Sequence, residues 1–130
     1  MNRKDQREWI LKLVYENLAN SNNSFNTKQL ESHNLIDKKI DFIEASLKSL
    51  YDNYDQINNI MINNVDSTAI KKLSLVDKAL ILISINEMFY LNIPSSVSIN
   101  EAVELSKTYS ADNSYKVVNG ILGVIYRKYD

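Results

Sequence analysis

The chain has 130 residues, with 15 Lys+Arg against 16 Asp+Glu and a formal net charge of −1, a length that fits one domain with its own core. Two Gly, one Pro, no Cys and one His exclude a turn-rich sandwich or barrel, a Gly-rich phosphate loop, disulfides, thiol nucleophiles and multi-histidine metal sites, and leave little for a His-based triad. The balanced charge differs from that of a strongly basic nucleic-acid binder, so composition points to a small helical domain that binds rather than catalyses.

In chain order, Trp9, Ile10, Leu13, Val14 and Leu18 have helical spacing and predict a helix from Arg3 to Ala19. The Asn/Ser-rich stretch from Asn20 to Asn26 reads as a loop, followed by a short helix from Thr27 to His33 capped by Asn26 or Thr27. Ile36, Ile40, Ile43, Leu47, Leu50, Tyr54 and Ile57 step by three or four, predicting one buried stripe on a helix from Asp37 to Tyr54. Helices at Gln56 to Asn63, with Ile57, Ile60 and Met61 inward, and at Ser67 to Leu73 follow. Ser74 with Asp77, and Ser98 with Glu101, each form a capping-box pattern. The first opens an almost wholly apolar helix from Leu75 to Leu91, ended by Asn-Ile-Pro94 and expected at the centre of the domain. The second opens a helix from Ile99 to Tyr109. Asp112 can cap a last helix from Asn113 to Lys128, with Val118, Ile121, Leu122 and Ile125 inward.

No internal repeat or linker interrupts residues 1–130, which are expected to form a single domain. The N-terminus lacks an apolar signal core. The run from Ala79 to Ile85 is far shorter than the roughly 20 residues that span a bilayer. A cysteine-free chain of this kind fits the cytoplasm, with no membrane partner.

The first helix carries the most informative chemistry. Lys4, Arg7, Leu11 and Tyr15 are spaced i, i+3, i+7 and i+11 and form one stripe, with Arg3 one turn before Arg7 and Lys12 a further cation of the same helix. Cations meet phosphates and an aromatic face stacks on an unpaired base, which suits single-stranded RNA better than duplex. A solvated helix face with Tyr15 at the core edge is the plainer reading of the same spacing. Cations at a helix N-terminus oppose the macrodipole and so are not there for helix stability. Glu101 and Glu104 sit at i, i+3 like an acid/base pair, but the capping box accounts for Glu101 and no second cluster accompanies them, so no catalysis is expected. Glu87, within the apolar helix, needs partners, and backbone donors at the next helix start are the expected ones. His33 is expected at the surface. Gly120 lies inside the last helix, where glycine costs up to ~1 kcal/mol against alanine, so close helix packing or a partner is expected against it.

Four runs occur in order: Leu73-Ser-Leu-Val-Asp-Lys-Ala-Leu-Ile81, Ile85-Asn-Glu-Met88, Ile93-Pro-Ser-Ser-Val-Ser-Ile-Asn-Glu-Ala-Val-Glu-Leu-Ser-Lys107 and Ser114-Tyr-Lys-Val-Val-Asn-Gly-Ile-Leu122. With Arg3, Lys4, Arg7 and Val14-Tyr15, this order resembles the NusB family of bacterial transcription antitermination factors over nearly the whole chain. The resemblance implies an all-α, compact NusB-like fold of about seven helices in two small packed bundles. It implies no catalysis and no cofactor. It implies binding to the boxA element of nascent rRNA transcripts together with NusE, a small-subunit ribosomal protein, and coupling to the RNA polymerase elongation complex with other Nus factors. By position, Arg3, Lys4, Arg7 and Tyr15 match the family's RNA-contacting first helix; Asn113, Ser114 and Lys116 match its second RNA-contact region; Asp77 matches an acidic position that faces NusE. Monomer and homodimer both occur in the family.

This chain departs from the pattern at Asp5, which interrupts the basic run, and at Ile62 to Val65, where an aromatic is usual. With a net charge of −1, weak RNA affinity alone and a gain with NusE are expected. Two alternatives share the fold: a protein-only adaptor without specific RNA binding, and the detached N-terminal domain of an rRNA cytosine methyltransferase. The second is disfavoured by the end of the chain at Asp130 and by the lack of a cysteine to attack cytosine.

Overall fold

The computed structural model describes residues 1–36 and 38–129. Among them are eight helices: α1 (Arg3–Ala19), α2 (Thr27–Ser32), α3 (Asp41–Asp52), α4 (Tyr54–Asn64), α5 (Ser67–Lys72), α6 (Leu75–Tyr90), α7 (Ser95–Tyr109) and α8 (Ser114–Tyr129). The all-α architecture is the expected one and the count is close to seven.

Short polar side chains start the helices. The Asn2 side chain accepts from the Asp5 N–H at 2.8 Å, Asn26 accepts from the Lys28 N–H at 3.0 Å, and the Ser74 hydroxyl accepts from the Asp77 N–H at 3.1 Å, each satisfying a donor the first turn leaves unpaired. Helix α3 has no such cap of its own. Its first N–H groups are met from outside: Gln6 Oε1, on α1, accepts from the Phe42 and Ile43 N–H groups at 3.0 and 3.1 Å.

Three expectations are corrected here. The stripe helix begins at Asp41, and its expected start at Asp37 lies outside the described residues. Ile36 is 48% exposed while Leu35 is fully buried, because this stretch precedes the helix and a 3.6-residue period does not apply to it. The second capping box does not form. Helix α7 starts four residues earlier, after Pro94, whose carbonyl accepts from the Val97 and Ser98 N–H groups, both at 3.0 Å. Ser98 is thus inside the helix and buried, its hydroxyl 2.8 Å from that of Ser84 on α6. Finally, a Cβ on Gly120 would meet nothing within 4 Å, so no close packing explains that glycine.

Left-handed backbone next to the helices is carried by Asn, and by Ser21 (φ 52°) after α1, rather than by Gly. Asn34 (φ 57°), Asn92 (φ 56°) and Asn113 (φ 69°) adopt it, which Asn tolerates better than most side chains. After α6, Asn92 turns the chain so that the Ile93 N–H reaches the Glu87 carbonyl at 3.0 Å, satisfying an orphan carbonyl of the last turn, and Pro94 follows.

Helix α6 is the central element. Ala79 through Glu87 are all buried, and α6 packs against α1, α3, α4, α7 and α8. On one side α1 packs on α3, and on the other α8 packs on α4 and α7, so two small groups of helices share one central helix. Each buried large aliphatic side chain contributes about 1.5–3 kcal/mol. Buried polar links set how α6 sits: Asn86 Nδ2 donates to the Ser46 carbonyl at 3.1 Å, and the Ser49 hydroxyl donates to Asn86 Oδ1 at 2.7 Å. At the α1–α3 contact the Tyr51 hydroxyl accepts from Asn17 Nδ2 at 2.9 Å. Burial pushes the Tyr51 phenol up to about 12, against a smaller lowering by that hydrogen bond.

Candidate functional site

The stripe expected on α1 divides in the structure. Arg7 and Leu11 turn inward, 5% and 3% exposed, while Lys4 and Lys12 are exposed and Tyr15 is 42% exposed. The outward edge of α1 is therefore Lys4, Glu8, Lys12 and Tyr15. Arg3 is also exposed, with its guanidinium 4.3 Å from the centre of the Phe42 ring. Lys12 lies 4.9 Å above Trp9.

Arg7 is instead a core residue. Its Nε donates to Glu87 Oε2 and its Nη2 to Glu87 Oε1, each at 3.1 Å, a two-pronged pair that suits a planar guanidinium and a carboxylate. This corrects two expectations. Arg7 does not stand on the exposed face, and the Glu87 carboxylate meets a guanidinium on α1 rather than the next helix start. The reason is electrostatic: a carboxylate on the central helix needs a charged partner, and α1 packs directly on α6. His33 is likewise not plain surface; its Nε2 lies 2.9 Å from Glu16 Oε2, and its ring centre is 5.4 Å from that of Trp9.

Around the α7–α8 turn, Asn113 and Lys116 are exposed and Ser114 is half-buried. Asn113 lines a surface depression with Lys107, Asp112 and Tyr115, and the Lys107 ammonium lies 4.8 Å from the centre of the Tyr115 ring. The two expected regions meet through Tyr109, at the end of α7. Leu11, Lys12 and Tyr15 of α1, Val76 of α6 and Tyr109 line one groove of about 270 Å³, and Ser110 leads from Tyr109 straight into the turn. Tyr109 is 40% exposed. Its phenol is raised above the ordinary value by burial first and then by the Glu8 carboxylate. Sequence reasoning missed Tyr109, Lys107 and Tyr115; their signal was a second clustering of cation and aromatic next to Asn113, Ser114 and Lys116.

Asp77, which the resemblance implies faces NusE, is buried in the chain alone. It is 3% exposed, and its carboxylate accepts from the hydroxyls of Ser106 at 3.1 Å and Ser110 at 3.0 Å. A contact from Asp77 to a partner requires these two serines to give way. In this structure the carboxylate ties the end of α7 to the start of α6. The combination of exposed Lys and Arg with tyrosines can hold an anionic polymer and stack its rings. Among the described residues no group of His, Asp and Glu has the makings of a metal site, and no helix is long and apolar enough to cross a membrane.

A family model described as the NusB family matches residues 4–127. The transcription antitermination protein NusB of Finegoldia magna is 31% identical over 133 residues, covering 98% of this chain and 96% of that protein. The protein of the same name from Fusobacterium nucleatum subsp. nucleatum is 33% identical over 129 residues, covering 92% and 84%. Among solved structures, T. maritima NusB superposes with a TM-score of 0.85 at 23% identity, over 98% of this chain and 92% of that one. A crystal structure of the antitermination factors NusB and NusE in complex with dsRNA gives 0.81 at 20% identity, over 98% and 97%. At such identities the structures speak for the fold, and the family match and the relatives speak for descent: the chain belongs to the NusB family of transcription antitermination proteins.

Proposed function

We propose that this protein is a cytoplasmic, non-enzymatic antitermination factor that binds boxA RNA of nascent rRNA transcripts jointly with NusE and couples it to the RNA polymerase elongation complex with other Nus factors. The observation that carries the reading is the exposed edge of Lys4, Lys12 and Tyr15, continued through Tyr109 to Asn113 and Lys116, on a chain of the NusB family. Arg3 and Ser114 flank this edge. Arg7 supports it from inside, by fixing α1 on α6. The fold neighbour captured with NusE and dsRNA supports the choice of partners.

The division of labour follows from charge. The cations on this edge are few and the net charge is −1, so the chain alone supplies few phosphate contacts, and a basic partner bound to the same RNA adds its own. Titrating boxA RNA with this protein, with and without NusE, is expected to give weak binding alone and a gain of at least tenfold with the partner. About four phosphate contacts, from Arg3, Lys4, Lys12 and Lys116, correspond to a log–log salt slope of roughly −3 on a single strand for the protein alone. Single-stranded and duplex forms of the sequence are compared in the same assay. The cation–tyrosine edge favours the unpaired form, whereas the neighbour's RNA is double-stranded. Equal affinity for a scrambled RNA would sink the sequence-specific reading. The inward turn of Arg7 thins the basic edge and favours, as a second reading, a protein-only adaptor. Intact NusE binding with no boxA affinity at low salt is the result that would select it.

A further inference from the structure

The groove between α1 and α7 has a composition unlike the rest of the exposed edge. Its lining is almost wholly apolar, and two of its five residues are tyrosines, one from α1 and one from α7. Both tyrosines are about two-fifths exposed, Tyr15 at 42% and Tyr109 at 40%, so each has surface open to a ligand. One cation, Lys12, stands at the rim. The backbone around Tyr109 is held on both sides along the chain: the hydroxyls of Ser106 and Ser110 are bound to the two oxygens of buried Asp77. A side chain carried on a segment fixed in this way needs less ordering when something stacks on it.

We propose that this groove receives one unpaired nucleobase of the bound RNA, with Tyr109 providing a second aromatic wall opposite Tyr15 and Lys12 meeting the adjoining phosphate. The inference rests on the RNA-binding reading above and adds to it a residue and a place. Two aromatic walls and a single rim cation suit a flat π-system attached to an anion, the combination a nucleotide has and an aliphatic side chain lacks. Tyr109 is followed within a few residues by the turn that carries Asn113 and the exposed Lys116, so the next phosphates have a cation and an amide nearby to meet. Asp77 acts here as a positioning residue, through the end of α7.

The test is a scan of boxA RNAs, each with a single abasic nucleotide, against the wild-type protein, Tyr109→Ala and Tyr109→Leu, with NusE present. One position in the RNA is expected to cost the wild type about tenfold when its base is removed, the size of one base–aromatic stack. Tyr109→Ala is expected to lose about tenfold on intact RNA and nothing further at that position. Tyr109→Leu keeps the bulk but not the π-face and is expected to behave the same way, which guards against a loss caused by the fold. If both variants bind intact RNA as the wild type does, or keep its abasic profile, the subsite is elsewhere and the RNA-binding reading stands. If Tyr109→Ala weakens NusE binding in the absence of RNA, a protein side chain fills the groove and the proposal is wrong. If the wild type cannot tell boxA from a scrambled RNA, the underlying reading falls, and the subsite with it.

Discussion

Glu87→Ala is expected to destabilise this domain more than any other single change considered. The carboxylate and the Arg7 guanidinium are bound through two 3.1 Å contacts, with side chains only 2% and 6% exposed. Removing one partner leaves the other charge buried and uncompensated, a loss of about 3–5 kcal/mol. That is a large part of the 5–15 kcal/mol typical of a domain, and at roughly 3–5 °C per kcal/mol it corresponds to a fall in Tm of about 10–25 °C. Thermal unfolding followed by circular dichroism measures it. The double variant Arg7→Met with Glu87→Leu restores apolar packing without the charges and is expected to recover most of the loss. A single variant melting within about 2 °C of the wild type would show that water reaches the pair. The double variant also separates two roles for Arg7: if it is stable and binds boxA RNA as the wild type does, Arg7 works through the fold and not through RNA.

Tyr15→Asp is expected to have the largest effect on RNA affinity. The side chain is 42% exposed, so the fold should survive, as an unchanged far-ultraviolet spectrum would show. A stacked base is worth about 1–3 kcal/mol, and a new carboxylate among phosphates adds repulsion. At 1.4 kcal/mol per tenfold the combined loss is about 10- to 100-fold. Tyr15→Phe keeps the ring and is expected to bind nearly as the wild type does. Equal affinity for wild type and Tyr15→Asp would remove this residue from the site, and a similar loss for Phe would replace stacking with a role for the hydroxyl.

The contrast between Arg7 and Tyr15 shows what was legible in the sequence and what was not. Spacing put both on one stripe of α1, and α1 itself, from Arg3 to Ala19, has the bounds its pattern predicts. Spacing says which residues share a helix face but not which edge of that face a neighbour covers. That was decided by Glu87, a residue 80 positions away. Similarly, a Ser followed three residues later by a carboxylate reads as a helix start, and Ser74 does cap α6, although the Asp77 carboxylate turns to Ser106 and Ser110 rather than back to Ser74. At Ser98 and Glu101 the same pattern sits one turn inside a helix, because Pro94 had already started it. The same local pattern occurs twice; the proline upstream and the packing of Ser98 on Ser84 distinguish the two. Tyr109 was missed for the same reason, since its neighbours in the groove come from α1 and α6.

The central position of α6 also sets the order in which the molecule can come apart. A helix packed on five others cannot expose its amides unless those contacts are lost together, so hydrogen exchange in its middle reports opening of the whole domain. Helix α5, six residues with none buried, can fray by itself at little cost. The α1–α7 groove is built on both kinds of support: its Val76 wall belongs to the slow-exchanging helix, whereas Tyr109 stands at a helix end, where fluctuation begins. An RNA that engages the groove would bind the end of α7 to the start of the central helix, and its footprint in exchange would appear at residues 109–116 before anywhere else.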